Sequence, residues 1–430
     1  MTAPDSHLAS SRGGKAILYI YDGDWPWRAT RVAKETRSLA AAGHRVVLIS
    51  RNDRCQARME ETAWMTVRRL PCIGAGGGTL NRVMNFPFPA NPVWFFAILR
   101  AATECRADCI LVRDLPLALT ALSVGRRLGV PVVYDMAEVY PEFLRDRVEF
   151  GRASLLDRAV KSPRAAALVE RAVLRRADTV IVVSEESRER CLRMGVAPDR
   201  VVHVGNTPAD VDAIHAAPRD PARDDPGFDD FVLLFVGILM WDRGVADIVR
   251  ALPAIRAAFP RTRLVVAGDG DERGGIERLI AERGLESCVE LVGWREHASL
   301  PQLYAASDVG LLPFLPGRHV KITLANKLFD YMAAGLPIVA SDLPPMRRIL
   351  EETKAGVIFT PGDSASLATA VVGLLSDSAT RRRLAQAGRR AAAEKYNWHE
   401  DEKRFLEIFE SVPDDVSALR RSRPDAATVR

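Results

Sequence analysis

Short apolar runs alternate with amphipathic stretches over most of the chain. The first run, Ala16–Tyr21, precedes helical periodicity over about Thr30–Ala42, then Gly43 and a second apolar run at Arg45–Ser50. A buried strand, a helix that ends at a glycine and another buried strand are typical of a parallel βαβ unit. The same pattern predicts four more strands and two more helices, at Cys109–Val112, Val130–Tyr134, Thr179–Val183, Val201–Val204, Leu117–Leu128 and Ala165–Arg176.

The alternation stops over residues 209–230 and then starts again. This segment is rich in Asp, Pro, Arg and Ala without apolar periodicity, so we interpret it as an interdomain linker. Six later runs predict a second parallel sheet, with strands at Val232–Val236, Leu264–Ala267, Val289–Val292, Val309–Leu312, Ile338–Ala340 and Val357–Phe359. The predicted fold class is α/β, with two Rossmann-like doubly wound domains. Because such sheets bind ligands beyond the carboxyl ends of their strands, we expect an interdomain cleft for two substrates.

Composition agrees with two domains and narrows the class of protein. A chain of 430 residues with 48% hydrophobic residues can build two cores. Its 60 basic and 55 acidic residues are intermixed, a pattern that does not favour nucleic-acid binding. The N-terminus lacks the apolar core of a signal peptide, and no run of about 18 apolar residues occurs, so we expect a soluble or peripheral protein.

The six cysteines are scattered along the chain, without a CxxC pair or a nearby histidine cluster. They predict neither a disulfide framework nor a zinc site, and a reducing cytoplasm fits them best. Their positions are Cys55, Cys72, Cys105, Cys109, Cys191 and Cys288.

The stretch Thr323–Pro337 predicts a helix whose N-terminus lies at the cleft. Asn326 would cap this helix, and Gly335 would end it before the next strand. Free amides and the positive end of the helix dipole favour an anion there, and Lys327 adds a full charge, so we expect a diphosphate. Asp330, one turn later, would accept hydrogen bonds from ribose hydroxyls. The alternative is that Asp330 only stabilises the helix start.

Three loops that follow strands of the second domain supply further candidates. In Gly237–Gly244, glycines at both ends let the backbone approach a ligand, and Arg243 would clamp a leaving phosphate unless it is an ordinary surface arginine. Gly268 and Gly270 follow the next strand, but without a third glycine they are a weak phosphate fingerprint. Trp294 follows a third strand, where it would either stack on a nucleobase or pack against the protein.

At these loops the chain resembles the retaining family-4 glycosyltransferases, which share the two-domain GT-B architecture, and the resemblance covers nearly the whole chain. It depends on six segments, of which the last two are the most specific: Ala41–Val46, Val182–Glu185, Val204–Asn206, Val266–Gly270, Leu303–Val309 and Lys327–Pro337. The resemblance implies that the second domain binds a nucleotide-sugar donor and the first domain binds the acceptor. It also implies bond formation with retention, usually without a divalent metal, and we expect no other cofactor.

Three positions depart from the family pattern. Ile238 stands where relatives carry the first of two cations on the diphosphate, and Lys327 would supply the missing charge. Ile322 stands where the first Glu of a Glu-x7-Glu motif would touch the donor sugar. Ala137 replaces the histidine of an Asp-x-His-Glu segment, which leaves Glu138 as a polar group of the cleft or a cap at the end of its strand.

We therefore divide the chain into a disordered N-terminus (1–14), an acceptor domain (15–208), a linker (209–230), a nucleotide-sugar-binding domain (231–395), a helix that crosses back to the first domain (396–412) and a disordered tail (413–430). The predicted catalytic residues are Arg243, Lys327 and Glu138. The predicted donor contacts are Gly237, Gly268, Gly270, Trp294, Thr323, Asn326 and Asp330.

Two surface segments raise the question of membrane contact. Phe86–Leu99 is the most aromatic part of the chain, and Arg145–Arg176 is rich in arginine. Together they would touch an anionic membrane that bears a lipid-linked acceptor. The alternative, which we prefer, is a buried helix beside a solvated one, because acidic residues such as Glu142 and Glu170 dilute the positive charge.

The predicted reaction moves a hexose-type sugar from a nucleoside diphosphate to an acceptor hydroxyl of a glycan or lipid-linked acceptor. By resemblance, its setting is cell-surface polysaccharide or glycolipid assembly, in the cytoplasm or at the inner face of the membrane. One alternative is a catalytically silent nucleotide-sugar-binding subunit, suggested by Ala137, Ile238 and Ile322. Another is a dinucleotide-dependent oxidoreductase, which the absence of a complete Gly-x-Gly-x-x-Gly disfavours.

Overall fold

The computed structural model describes residues 14–27, 29–72, 78–87, 89, 91–153, 161–225 and 227–413. The disordered segments predicted at 1–14 and 413–430 lie outside the described residues, except for residues 14 and 413. They stay predictions, as does any role of Phe88 in the aromatic segment.

The first domain is built on an eight-stranded sheet. Its strands are β1 (Ala16–Ile20), β2 (Arg45–Ser50), β3 (Met59–Glu61), β4 (Thr66–Arg69), β5 (Cys109–Arg113), β6 (Val132–Met136), β7 (Thr179–Val182) and β8 (Val201–His203). Its helices are α1 (Thr30–Ala41), α2 (Thr79–Met84), α3 (Pro92–Glu104), α4 (Ala118–Leu128), α5 (Tyr140–Glu149), α6 (Pro163–Arg176) and α7 (Glu185–Arg193). The strand order is β3-β4-β2-β1-β5-β6-β7-β8, and all pairs are parallel except β3 with β4.

The second domain has a six-stranded parallel sheet in the order β11-β10-β9-β12-β13-β14. Its strands are β9 (Val232–Val236), β10 (Arg263–Ala267), β11 (Val289–Gly293), β12 (Val309–Leu312), β13 (Ile338–Ser341) and β14 (Gly356–Phe359). The remaining helices are α8 (Val211–His215), α9 (Val245–Ala258), α10 (Arg273–Glu282), α11 (Leu300–Ala305), α12 (Asn326–Ala334), α13 (Pro344–Thr353), α14 (Ser364–Ser376), α15 (Ser378–Glu394) and α16 (Trp398–Glu410). Two sheets of this kind confirm the predicted fold class.

Strand order places the ligand site in each sheet. In the second sheet, β9 and β12 are neighbours, but the chain leaves β9 towards β10 and leaves β12 towards β13. Their following loops therefore diverge and open a crevice at the carboxyl edge, the usual binding position in doubly wound sheets. In the first sheet, β1 and β5 are neighbours with the same divergence. Each domain thus has one such crevice at the carboxyl edge of its sheet.

The connection between the domains lies against the second domain. Residues 209–230, predicted as a linker, carry α8, and Ile214 of this helix is buried in the second-domain core. Arg219 and Arg223 each pair with Asp308, at 3.1 and 2.8 Å. Asp308 also accepts a hydrogen bond from the backbone N–H of Val232 at 2.7 Å, so these contacts attach the connection to the start of β9.

The last helix, α16, returns to the first domain. Phe405 and Phe409 of this helix are fully buried in the core of the first domain. Asp401 accepts hydrogen bonds from the backbone N–H of Gly205 at 2.9 Å and from the Thr207 hydroxyl at 2.6 Å. At the other end of α16, the Lys15 ammonium donates to the carbonyls of Phe409 and Val412, where the helix dipole favours a cation.

One expectation about the cysteines is wrong. Cys55 and Cys72 form a disulfide, with their Cα atoms 5.3 Å apart. The two residues flank the β3–β4 hairpin, which brings distant sequence positions together without a CxxC spacing. The other four cysteines are buried and free. Among the described helices, none has the length and apolar character needed to cross a bilayer.

Candidate active site

The first element of the site is the N-terminus of α12. Lys327 lies in its first turn, and a Cβ built on Gly237 would stand 3.3 Å from the Lys327 Cε. Gly237, with a φ of 153° in the loop after β9, therefore gives the lysine room to lie against that loop. Burial, and then the nearby Arg243, lower the pKa of Lys327, so the ammonium lacks a sufficient counter-charge.

Arg243 reaches the same point from the turn after β9. The Trp241–Arg243 turn ends at Gly244, whose φ of 63° lets the chain press against the Pro313 carbonyl beyond β12. The guanidinium lies over the Phe314 ring, 4.6 Å from its centroid, and 3.5 Å from an Asp242 carboxylate oxygen. Two cations from separate loops thus converge on one helix N-terminus, an arrangement suited to a doubly charged phosphate group.

Asp330 lies one turn further along α12. It is buried and accepts a hydrogen bond from the Tyr304 hydroxyl at 3.3 Å. Burial raises its pKa, while His297, Lys327 and Lys34 oppose that rise. A carboxylate beside Lys327 and at the edge of the cleft is placed to meet the sugar of a nucleoside whose phosphates bind the cations.

The predicted capping role of Asn326 is wrong. Ala325 occupies the cap position, without a side-chain hydrogen bond to the helix, and Asn326 is the first helical residue. A helix start without a capping side chain keeps its first amides available to an anion. Thr323, also predicted as a donor contact, donates its hydroxyl to the His319 carbonyl at 3.0 Å and so shapes the loop before the helix.

The glycines of the second domain have a steric role between two loops. A Cβ on Gly268 would overlap the Gly237 carbonyl oxygen, and a Cβ on Gly270 would overlap the Leu239 carbonyl oxygen. The loops after β9 and β10 are therefore packed backbone against backbone. Their contact with a donor, which the sequence predicts, stays a prediction.

Trp294 lies at the side of the cleft and is 39% exposed. Its ring stacks on Trp27 of the first domain, with centroids 5.8 Å apart and planes at 29°. The Arg54 guanidinium lies 4.2 Å from the centroid of Trp27. The structure therefore shows a packing contact across the domains, while the solvent-accessible part of Trp294 leaves a surface for a base.

Glu138 lies across the cleft, directly after β6. Its carboxylate is 2.8 Å from Nε2 of His319, a residue of the second domain. Burial would raise the pKa of Glu138, but His319 first, and then Arg243 and Arg113, outweigh burial and lower it. Glu138 does not cap α5, whose cap position is Val139. Glu138 therefore meets the second domain at His319 and lies within electrostatic range of Arg243.

Sequence reasoning singled out Ile322 and Thr323 but missed His319, which lies in the same segment, residues 317–323, named here the docking loop. Asp146 of α5 accepts hydrogen bonds from the backbone N–H groups of Arg318 and His319, at 2.9 and 2.8 Å. The Ile322 carbonyl accepts from the hydroxyls of Ser184 and Ser187, both at 2.6 Å. The only signal in the sequence is a histidine in the loop between β12 and α12, whose partners are distant along the chain.

Ile322 itself contacts the first domain. Its side chain packs against the hydrophobic core of the first domain. The residue that replaces the family's glutamate is therefore an interdomain contact.

Two further carboxylates line the first-domain side, and sequence reasoning missed both. Ile20 of β1 pairs with Val112 of β5, so Asp22 and Asp114 follow their strands at the same register. Asp114 has a φ of 64° and is 8% exposed, and its Oδ1 has no hydrogen-bond partner among the described residues. Burial raises the pKa of Asp22 to about 6 and that of Asp114 well above its ordinary value. These acids are suited to accept hydrogen bonds from a polar ligand.

Comparison with known proteins gives matches over both domains. A family model described as "Glycosyl transferase 4-like domain" matches residues 29–207, and one described as "Glycosyl transferases group 1" matches residues 230–377. The chain is similar to an alpha-D-kanosaminyltransferase of Streptomyces kanamyceticus, at 28% identity over 278 residues, which are 64% of this chain and 69% of the relative.

Solved structures show the same architecture. A sucrose-phosphate synthase from Thermosynechococcus elongatus superposes with a TM-score of 0.74 at 21% identity, covering 92% of this chain and 98% of the other. Anabaena HepE in complex with UDP and glucose superposes with a TM-score of 0.68 at 17% identity, covering 92% and 100%. At these identities the likeness establishes the fold, in which two sheets face a common cleft.

Proposed function

The chain belongs to the group 1 glycosyltransferases, family-4 retaining enzymes with the GT-B fold, and on this basis we propose that it transfers a hexose-type sugar from a nucleoside diphosphate to an acceptor hydroxyl. Membership of this family argues against the alternative hypothesis of a dinucleotide-dependent oxidoreductase. The observation that carries the proposal is the meeting of Arg243 and Lys327 at the N-terminus of α12.

In the proposed reaction, negative charge builds on the diphosphate as the bond to the sugar breaks. Arg243, Lys327 and the first amides of α12 are fixed before this happens, so they stabilise the departing group without having to reorganise. The mutual repulsion of the two cations also falls when a diphosphate binds between them. Asp330 would hold the ribose, and the exposed part of Trp294 would contact the base.

Retention fits the distribution of charge across the cleft. In a front-face displacement the acceptor attacks from the side of the leaving phosphate, which takes up the acceptor proton. No separate base is then required, so Ala137 in place of histidine is compatible with turnover. Glu138, Asp22 and Asp114 would orient the acceptor and the reacting sugar. The proposed mechanism uses no divalent metal.

The first test is a panel of UDP-, GDP-, ADP- and TDP-sugars, with thermal shift to measure binding and nucleotide release to measure turnover. We expect one donor to raise the melting temperature and to be hydrolysed slowly, and we expect Arg243→Ala and Lys327→Ala to lose the hydrolysis. Arg278→Ala, on the exposed face of α10, is the matched control. Binding without release, even with candidate acceptors, would favour the silent subunit, and no binding would exclude both functions.

We further propose that the acceptor is reached at an anionic membrane surface, as part of cell-surface polysaccharide or glycolipid assembly on the cytoplasmic side. Leu80 and Val83 of α2 and Phe96 of α3 are 60%, 63% and 65% exposed, while Trp94 and Ile98 of α3 are buried. One face of α3 is therefore buried in the core and the other is solvent-exposed. Exposed apolar side chains near arginines suit an interfacial contact.

Vesicle co-sedimentation tests the membrane contact. We expect binding to vesicles that contain anionic lipid, weaker binding to zwitterionic vesicles, and loss of binding in a Leu80→Ser, Val83→Ser double variant. Ile358→Ser, at an exposed position on β14 of the second domain, is the control. Equal binding by the double variant and the control would exclude α2 as the contact and leave a soluble glycan as the acceptor to test.

A further inference from the structure

We propose that His319 is a positioning residue of the transfer reaction, which holds Glu138 in place across the cleft only when the domains are closed. This inference rests on the proposed function, because Glu138 would act on the reacting sugar or the acceptor. It assigns a role to a second-domain histidine on the side of the cleft where Ala137 offers no functional side chain.

The pair joins the domains at the site itself. The His319 Nε2 is 2.8 Å from the Glu138 carboxylate, and the histidine side chain is 4% exposed while that of Glu138 is 47% exposed. One carboxylate oxygen is therefore held and the rest of the group faces the cleft, where it can accept from a sugar hydroxyl. The edge of Phe143 lies against the imidazole, with centroids 5.4 Å apart, and restricts its rotation.

The docking loop delivers His319 to this position. Asp146, almost fully buried, bonds to the backbone N–H groups of Arg318 and His319, and two serine hydroxyls bond to the Ile322 carbonyl on the other side of the histidine. All of these donors and acceptors join one domain to the other. If the domains separate, the docking loop loses its hydrogen bonds to the first domain, and at the same time Glu138 loses its contact with His319. The position of Glu138 is thus coupled to closure.

A purely structural histidine would explain the ring contact with Phe143 but not the orientation of Nε2 towards a half-exposed carboxylate in the cleft. The Nδ1 atom has no hydrogen-bond partner within the described ranges, so the bond to Glu138 is the main polar contact of the ring. The Thr323 hydroxyl is further away, at 3.4 Å from Nε2. The imidazole therefore directs its shortest polar contact at Glu138.

A double-mutant cycle tests the inference. We expect His319→Ala and Glu138→Ala each to lower kcat by about 10- to 100-fold, the loss typical of a hydrogen bond to a charged group, and the double variant to be no worse than either. His319→Gln, whose amide reaches the position of Nε2, should restore most of the rate, whereas His319→Asn should not. Binding of the nucleoside diphosphate alone should be unchanged in all these variants.

Other outcomes overturn the inference. If the kcat losses of the two single variants multiply in the double variant, His319 and Glu138 act independently and His319 has a packing role only. Equal rates for the Gln and Asn variants would lead to the same conclusion. If His319→Ala fails to fold, the comparison of Gln with Asn still decides. If Arg243→Ala loses turnover while the effects of His319→Ala and Glu138→Ala are independent, the proposed function stands and the role of His319 does not. If Arg243→Ala and Lys327→Ala both keep full turnover, the proposed function itself is wrong.

Discussion

The two sides of the cleft differ in charge and in how they are assembled. The second-domain side places Arg243 and Lys327 at a helix N-terminus, within two loops that follow neighbouring strands. The first-domain side presents the carboxyl groups of Asp22, Asp114 and Glu138. A diphosphate leaving group needs cations and a nucleophilic hydroxyl needs acceptors, so each side matches one partner of the proposed transfer.

Only one of these two kinds of site can be recognised in a sequence. A phosphate site consists of a local pattern, here a lysine at a helix start and an arginine in a glycine-bounded turn. The opposite side depends on register between β1 and β5 and on His319, which meets Glu138 from the other domain. Such contacts have no local signature.

The strongest effect should come from removing one charge on the donor side. Lys327→Met keeps the aliphatic chain against Gly237 but loses the ammonium, so we expect kcat to fall by about 10²- to 10³-fold, the usual cost of one preorganised group at a developing anion. The measurement is steady-state nucleotide release. A loss confined to donor KM would show that Lys327 binds the ground state and the transition state equally.

The next effect should come from the backbone packing beneath that site. Gly268→Ala would place a methyl group on the Gly237 carbonyl oxygen, so we expect about 2 kcal/mol lower stability in urea unfolding and weaker donor binding. Gly275→Ala is the matched control, since only the tip of Arg278 lies near its new methyl group, at 4.0 Å. This control should be neutral or more stable by about 0.5 kcal/mol. Equal stability of the two variants would contradict the packing argument.

Asp114→Asn tests the acceptor side. Asparagine tolerates the positive φ at this position, so the fold should be kept while the carboxyl group is replaced by an amide. We expect acceptor KM to rise about tenfold, with the shift in melting temperature caused by the donor unchanged. Asp271→Asn, at an exposed position, is the control. A change in donor binding instead would place Asp114 outside the acceptor site.

The smallest effect concerns stability and pH. Burial raises the pKa of Asp22 from 3.8 to about 6, so between these values the folded protein holds a proton that the unfolded chain has released. Stability of the wild type therefore falls as pH rises from about 4 to 6 through this group. Asp22→Asn removes the contribution, so the variant should gain melting temperature relative to the wild type over that range. A constant difference at all pH values would show that Asp22 does not titrate there.

Much of the fold follows from the sequence, for identifiable reasons. Strands such as Arg45–Ser50 and Val309–Leu312 are short apolar runs between turns, and their predicted bounds match the structure. Strand β3 was beyond such reasoning because its three residues are all exposed and show no alternation. Asn326 was misplaced by one position at a helix start, where boundaries are least certain. The disulfide could not be predicted, because Cys55 and Cys72 come together only through the β3–β4 hairpin between them.

The helix that returns to the first domain has a consequence for synthesis on the ribosome. Phe405 and Phe409 complete the core around β1 and β2, and Lys15 near the start of the chain binds carbonyls at its end. The first domain therefore waits for α16, which is translated after the second domain, while the second domain can assemble before that helix. The usual N-to-C order of co-translational folding is thus reversed in its final step. A nascent chain stalled before residue 398 would expose an incomplete hydrophobic surface to chaperones.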